Sequence, residues 1–284
     1  MNEKKEIQNA ILSIFKEIIK ICERHNLRYY AIGGTCIGAV RHKGFIPWDD
    51  DLDIAMPDSD YKKFYEYAQK ELPPELKVFY TADMRHNGNV FMKVHNTSTT
   101  FIEKSELNHP DSYKGVYVDI MPLGGVPSDS KLQKKYAFRV KYMIWINQKR
   151  RCSFGDHNAL KSKLLWLVFL PLNIFVPYDF WSKKWQKYTE KFSFDKSDYT
   201  GYVWSRNIGR LIFDKVWFED YVEMPFEDTT IRCPSGWDKY LSQHFGDYMK
   251  LPPESARLIH DNGGIVDLDK SYSYYQSKKQ EEIK

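Results

Sequence analysis

Between Gly33 and Met56 the chain reads GGTCIGAVRHKGFIPWDDDLDIAM, and four aspartates, Asp49, Asp50, Asp51 and Asp53, crowd its second half. Carboxylates this close raise one another's pKa and weaken a fold unless a cation lies among them. A ligand set made only of oxygens suits a hard divalent ion, so Mg²⁺ is the expected metal, with Mn²⁺ as the alternative. Mg²⁺ takes one or two protein carboxylates and completes its octahedron with water and phosphate oxygens. Upstream, Gly33 and Gly34 permit a tight turn where backbone N–H groups meet a phosphate at the start of a helix. Together the two features describe a site for a metal-bound nucleotide. The competing reading is an exposed acidic loop, disfavoured by the flanking Trp48 and the apolar strand pattern LDIAM. In that strand, Asp49, Asp51 and Asp53 would share one edge while Leu52 and Ile54 face the core.

Other residues are candidates by position. Arg41, His42 and Lys43 sit where a phosphate would approach and could form charge-assisted hydrogen bonds with it, or else they mark a solvated helix end. Lys93, in VFMKVHN, shares a strand face with Phe91 and His95, as an exposed lysine or as a phosphate ligand. His260, in RLIHDN, is either structural or part of the site. Asp119 is an acid within the apolar run VYVDIMPL. Taken alone, it could be a buried carboxylate satisfied by backbone donors. Aromatic residues make up 16% of the chain and could furnish a cation–π box for a quaternary ammonium, with Trp48 the candidate by position.

These residues need a scaffold. Ile7, Ile11, Ile14, Ile18 and Ile21 alternate at spacings of four and three, which predicts an amphipathic helix ending near Asn26. RYYAIGG then reads as a short buried strand, TCIGAVRHK as a short helix and LDIAM as a second strand. Asp58 or Ser59 would cap a helix that Pro73 and Pro74 stop. LKVFYTA and NVFMKVHN flank Asn87 and Gly88 as a hairpin, and Gly115 to Leu123 forms a further apolar strand. Beyond Asp129 the sequence is rich in Lys, Trp, Tyr and Phe with helical periodicity. The expectation is an α+β fold, close to α/β, with a small mixed sheet in residues 1–125 and a mostly helical region, 126–284, packed on it. The final QSKKQEEIK is expected to be disordered.

With 284 residues, 42% hydrophobic and 28% charged, the chain can bury a substantial core. Its net charge of +4 suits a phosphorylated substrate or an anionic surface but does not by itself indicate nucleic acid. Cys22, Cys36, Cys152 and Cys233 form no CxxC pair, so a reduced, cytoplasmic protein fits best. The charged N-terminus shows no secretory leader. Leu164 to Pro177 is apolar, flanked by lysines and shorter than the roughly 20 residues that span a bilayer. It reads as a buried helical hairpin or as an in-plane membrane contact.

A paired glycine, a short helix and an Asp-x-Asp strand are similar to the nucleotidyltransferase superfamily fold, and the string from Gly33 to Met56 resembles the LicD family of phosphocholine transferases. Relatives of fukutin and fukutin-related protein are more distant members. The resemblance covers the first 125 residues or so, and GDYMKLPP with RLIHDN, up to Asn262, shares the family's look. It implies that Asp51 and Asp53 hold the metal and that Asp119 joins them as third carboxylate and as the base for an attacking hydroxyl. The substrate contacts expected beside them are Gly33, Gly34, Thr35, Arg41, His42, Lys43, Trp48, Asp49, Lys93 and His260. The implied activity is Mg²⁺-dependent transfer of phosphocholine, or a related phospho-alcohol, from a CDP-linked donor such as CDP-choline to a sugar hydroxyl. The acceptor would be a lipid-linked cell-surface glycan of teichoic acid or lipopolysaccharide type, CMP the product, and the enzyme cytoplasmic, in peripheral contact with the membrane's inner face. Two alternatives stand beside it: nucleotidyl transfer with release of pyrophosphate, and a non-catalytic nucleotide-binding protein. The mammalian relatives' zinc is not implied, because the chain lacks their cysteine cluster.

Overall fold

The five isoleucines do line one face of a helix, α1 (Glu3–Arg24), and all five are buried. The helix ends where Asn26 takes a left-handed conformation, φ 49°, and turns the chain into the sheet. A computed structural model of the chain describes residues 3–81, 88–151, 167–171, 174–257 and 264–283. After α1 come β1 (Tyr30–Ala31), α2 (Gly33–Ile37) with a π-helical turn over Gly38–His42, β2 (Asp53–Pro57) and α3 (Asp58–Glu71). Next are β3 (Leu76–Tyr80), β4 (Met92–Asn96), β5 (Thr100–Ile102), β6 (Tyr117–Val126) and α4 (Ser130–Arg151). The remainder holds α5 (Phe180–Thr189), β7 (Tyr199–Gly201), β8 (Ile212–Asp214), β9 (Tyr221–Phe226), β10 (Thr229–Pro234), α6 (Trp237–Phe245), β11 (Ile265–Asp267) and α7 (Tyr272–Ile283).

The main sheet runs β1-β2-β6-β4-β3, with β2 and β6 parallel and the other neighbours antiparallel. The long β6 serves two neighbourhoods. Its first half pairs with β2 and β4, and its end pairs with β7, which in turn pairs with β8. The fold is α+β as expected, with a mixed sheet. Its main apolar core draws on α1, α3, β2, β4 and β6, and takes in Phe213, Phe218, Phe226, Tyr240 and Leu241 from the later half. A second apolar cluster, with Tyr136, Val140, Ile144, Trp185 and Val203, joins α4 to α5.

Several local expectations change. Asp58 is the first residue of α3, and Pro57, not Asp58 or Ser59, precedes the helix. The helix ends at Glu71, ahead of the proline pair, and β3 and β4 form the hairpin, whose tip at 82–87 lies outside the described residues. The later half is largely helical but also contributes five short strands. In β9 most side chains are exposed, so no hydrophobic alternation marks it. The C-terminal tail is helical rather than disordered. Tyr272 N–H donates to Thr99 O at 3.0 Å, Ser271 Oγ to Thr97 O at 2.6 Å, and Tyr275 OH to Asp267 Oδ2 at 2.7 Å, so the tail is anchored before its charged end begins.

Candidate active site

Strand register assembles the centre. Asp53 of β2 lies directly across from Asp119 of β6, and Asp119 directly across from Lys93 of β4. Residues opposite one another in neighbouring strands share a face, so two acids and a lysine converge on one side of the sheet. Leu52 and Ile54 are fully buried to either side of half-buried Asp53. The alternation expected there is met, although β2 begins at Asp53, and Asp49 to Asp51 approach it in irregular backbone.

Burial and mutual repulsion both act on these carboxylates. Burial raises the pKa of Asp51, and the charges of Asp53, Asp49 and Asp119 raise it further, as does a hydrogen bond with the Asp49 side chain. Burial likewise raises Asp53, then Asp119, with Lys93 acting in the opposite direction. Asp119 is raised by burial and lowered by Lys93. Lys93 is 4% exposed, which excludes the exposed-face reading. Its Nζ stands 2.6 Å from Asp119 Oδ1 and 3.5 Å from the centre of the Tyr117 ring. The Asp119–Lys93 contact is a close, buried ion pair. Among the described residues no three His, Cys, Asp or Glu side chains gather as a metal-binding group. Mg²⁺ ordinarily takes one or two protein carboxylates. The mutually repelling Asp51 and Asp53 fit that ion, and Asp119 is held by Lys93.

The glycine turn lies against this cluster. Gly33 has φ +56°, which favours glycine, and a Cβ there would come within 3.8 Å of Asp53 Oδ2. A Cβ on Gly34 would sit 2.8 Å from Asp49 Oδ2, so Gly34 keeps space open beside the acids. The Gly33 N–H donates to Tyr240 OH at 2.7 Å, and Tyr240 in turn bonds to the hydroxyl of Tyr202. Thr35 is buried. Its Oγ1 accepts from Asp53 N–H at 2.8 Å, so it fastens the turn to the carboxylate strand rather than facing a ligand. The π-helical turn follows, a distortion often found at functional sites, and ends at Lys43, which is exposed with φ 57°.

Arg41 and His42 are half-buried and not a solvated helix end. Arg41 donates to Tyr248 O at 2.6 Å and to His42 Nε2 at 2.9 Å. Burial and the charge of Arg257 lower the pKa of Arg41, while burial and Arg41 lower that of His42. Trp48 meets His42 edge-on, and the Arg257 guanidinium lies 5.1 Å from its ring centre. Trp48 thus holds an arginine in a cationic group with Arg41 and His42. His260 lies outside the described residues. Arg257, four residues after Pro253 and at the head of the same RLIHDN stretch, is the residue sequence reasoning passed over. Tyr202, Tyr240 and Gln8, which donates to Asp49 O at 2.8 Å, were also missed. No local pattern marks them, because their role depends on partners far along the chain. Cys22, Cys36 and Cys233 are buried thiols, and Cys152 is outside the described residues.

A cavity of about 150 Å³ opens elsewhere, lined by Tyr61, Tyr80, Trp185, Asp58 and Pro122. Pro122 is three residues beyond Asp119 on β6, so it points to the other face of the sheet. This cavity is not the carboxylate site.

With this geometry established, comparison with known proteins is specific. The family described as LicD/FKTN/FKRP, nucleotidyltransferase domain, matches residues 26–179, more than half of the chain and inclusive of Asp49, Asp50, Asp51, Asp53 and Asp119. The chain is 29% identical over 273 residues to the lipopolysaccharide cholinephosphotransferase LicD of Haemophilus influenzae, covering 90% of this chain and 95% of that one. It is 31% identical over 135 residues to an uncharacterized protein of Rickettsia prowazekii, covering 45% of this chain and 47% of the other. It is 26% identical over 137 residues to the yeast mannosyltransferase regulator 4, covering 46% of this chain and 11% of the yeast protein.

Proposed function

The chain belongs to the LicD/FKTN/FKRP nucleotidyltransferase-domain family, and on that premise we propose that it is a Mg²⁺-dependent phosphotransferase. It moves phosphocholine from CDP-choline to a sugar hydroxyl of a cell-surface glycan, of lipopolysaccharide or teichoic acid type, and releases CMP. The observation that carries this reading is the near full-length similarity to a lipopolysaccharide cholinephosphotransferase, supported by the Asp53–Asp119–Lys93 register. Because the acceptor is borne on a lipid carrier, the enzyme works at the cytoplasmic face of the membrane as a peripheral protein.

Asp51 and Asp53 would hold the ion, which when bound neutralises charge on the phosphates and on the carboxylates themselves. Asp119 takes the proton of the acceptor hydroxyl. Lys93, 2.6 Å away, favours the ionised form that task needs. Gly33 and Gly34 leave room for the donor beside the acids, and Arg41, His42 and Arg257 supply positive charge for its diphosphate. Positioning and charge neutralisation then account for most of the catalysis of an in-line displacement.

The test is incubation with choline-labelled CDP-choline, Mg²⁺ and unmodified lipopolysaccharide or teichoic acid, with both products measured. Label in the glycan with stoichiometric CMP is the expected result. Pyrophosphate release from a nucleotide triphosphate would assign nucleotidyl transfer instead. Donor binding without turnover, read as thermal stabilisation, would assign a nucleotide-binding protein.

A further inference from the structure

On α4 the exposed residues include Leu132, Phe138 and Tyr142, and Phe138 is 69% exposed. Rings connect this face to its neighbours. Phe138 stacks on Tyr142, Tyr142 meets Trp145 and Trp181, Trp145 meets Phe169, and Phe180 meets Trp181. Among the described residues between the helices, three apolar ones are about as exposed as Phe138 or more so: Val168 is 70%, Ile174 66% and Phe175 82% exposed. Arg150 ties this segment to α4 by donating to Val176 O at 2.6 Å and Pro177 O at 3.2 Å. Phe169 alone among them is turned inward. A buried hairpin does not describe these residues.

The charge around the patch is mostly positive, and the acid within it, Asp179, is paired with Lys183 at 2.5 Å. Residues 130–151 contain eight lysines and arginines and residues 180–189 three, and neither helix contains an acid. Lys131, Lys134, Lys135, Arg139 and Lys141 are exposed on the helix that presents Phe138 and Tyr142. Lys184 lies over the rings of Trp181 and Phe180 at 4.9 and 5.6 Å. Exposed aromatic and aliphatic side chains bordered by an excess of cations are the chemistry of an in-plane contact with an anionic bilayer. No helix among the described residues is long and apolar enough to cross one.

We propose that α4, α5 and residues 167–171 and 174–179 form a surface that docks the enzyme on an anionic lipid bilayer. The proposal rests on the preceding reading only for the acceptor's being membrane-borne, and it uses none of the residues assigned to the transfer. Phe138, Phe175 and the α4 lysines insert into or lie along the headgroup region.

The experiment is flotation of the full chain on phosphatidylglycerol–phosphatidylcholine vesicles and on pure phosphatidylcholine vesicles, at low and high salt. Wild type floats with the anionic vesicles, less at high salt, and weakly with neutral ones. Lys134→Glu/Lys135→Glu weakens binding by roughly fivefold or more per lysine lost. Phe138→Ser/Phe175→Ser also weakens it and, since both positions are exposed, leaves the circular dichroism spectrum and the thermal midpoint unchanged. Transfer to a soluble, delipidated acceptor is unaffected by either variant, so failure of the docking surface is distinguishable from failure of the transferase reading. Equal flotation on neutral and anionic vesicles, wild-type flotation by both variants, or no flotation at all overturns the proposal. So does a wild-type dimer that Phe138→Ser/Phe175→Ser dissociates without any lipid, which would make the patch a contact between copies of the chain.

Discussion

Replacing Lys93 by Met, which keeps the length and apolar stem of the side chain, tests the centre's electrostatics. Its ammonium is 2.6 Å from Asp119 Oδ1, with the two side chains 5% and 14% exposed. At an effective dielectric constant of about 20, that separation corresponds to roughly 6 kcal/mol of gross attraction. Much of this offsets the desolvation of the two groups, and removing one partner of such a buried pair typically costs about 3–5 kcal/mol because the other charge is left uncompensated. The expected destabilisation at neutral pH is in that range. The pH dependence has a definite sign. Burial already raises Asp119, and without Lys93 it rises further, so the variant's deficit grows as pH increases through the carboxylate range and shrinks toward pH 4. Urea unfolding followed by tryptophan fluorescence between pH 4 and 8 measures it, with Asp119→Asn and the double variant completing a cycle. The double variant should recover most of the loss. A deficit under 1 kcal/mol at pH 7, or one that does not change with pH, would refute the pairing argument.

Other outcomes follow from the same geometry. Asp51→Asn and Asp53→Asn should abolish transfer while raising the thermal midpoint of the metal-free protein at neutral pH. Both carboxyls are raised by burial and by their neighbours, so their ionised forms weaken the fold above the ordinary carboxylate pKa, by on the order of 1–3 kcal/mol. An unfolded variant, or one with wild-type activity, would remove them from the metal site. Asp119→Asn should leave CDP-choline affinity nearly unchanged by calorimetry and slow transfer by ~10² to 10⁴, whereas a large loss of donor binding would make Asp119 a metal ligand. Burial, with Lys114, Lys77 and Lys93 nearby, pushes the His95 imidazole down from 6.5 to about 3. Below pH 6.5 the unfolded chain accepts a proton that the folded one refuses, so stability falls by about 1.4 kcal/mol per pH unit toward pH 3. The difference between wild type and His95→Gln, measured by denaturation, should carry that slope.

What the sequence determined by itself was local. The isoleucine spacing specified α1, the prolines at 73 and 74 set the end of α3, and two β-rich runs around Gly88 specified the hairpin. The glycine pair and the aspartate run identified the centre of the candidate site, because a chain has few other reasons to bury so many carboxylates beside a turn. Asp119 was legible as an acid in an apolar strand. Its partner was not, since only the β4–β6 register puts Lys93 opposite it. Tyr240 reaches Gly33 from 207 residues away, and Arg257 reaches Trp48 from a comparable distance. The short strands after residue 198 lacked alternation because several of their side chains are exposed on both faces. The apolar stretch before Pro177 showed what periodicity leaves open: it gives the face on which a ring lies but not whether another element covers it. For Phe169 one does, and for Phe175 none of the described residues does. A hydrophobic pattern encodes a demand for burial, and only the packing of the whole chain decides which demands are met from within.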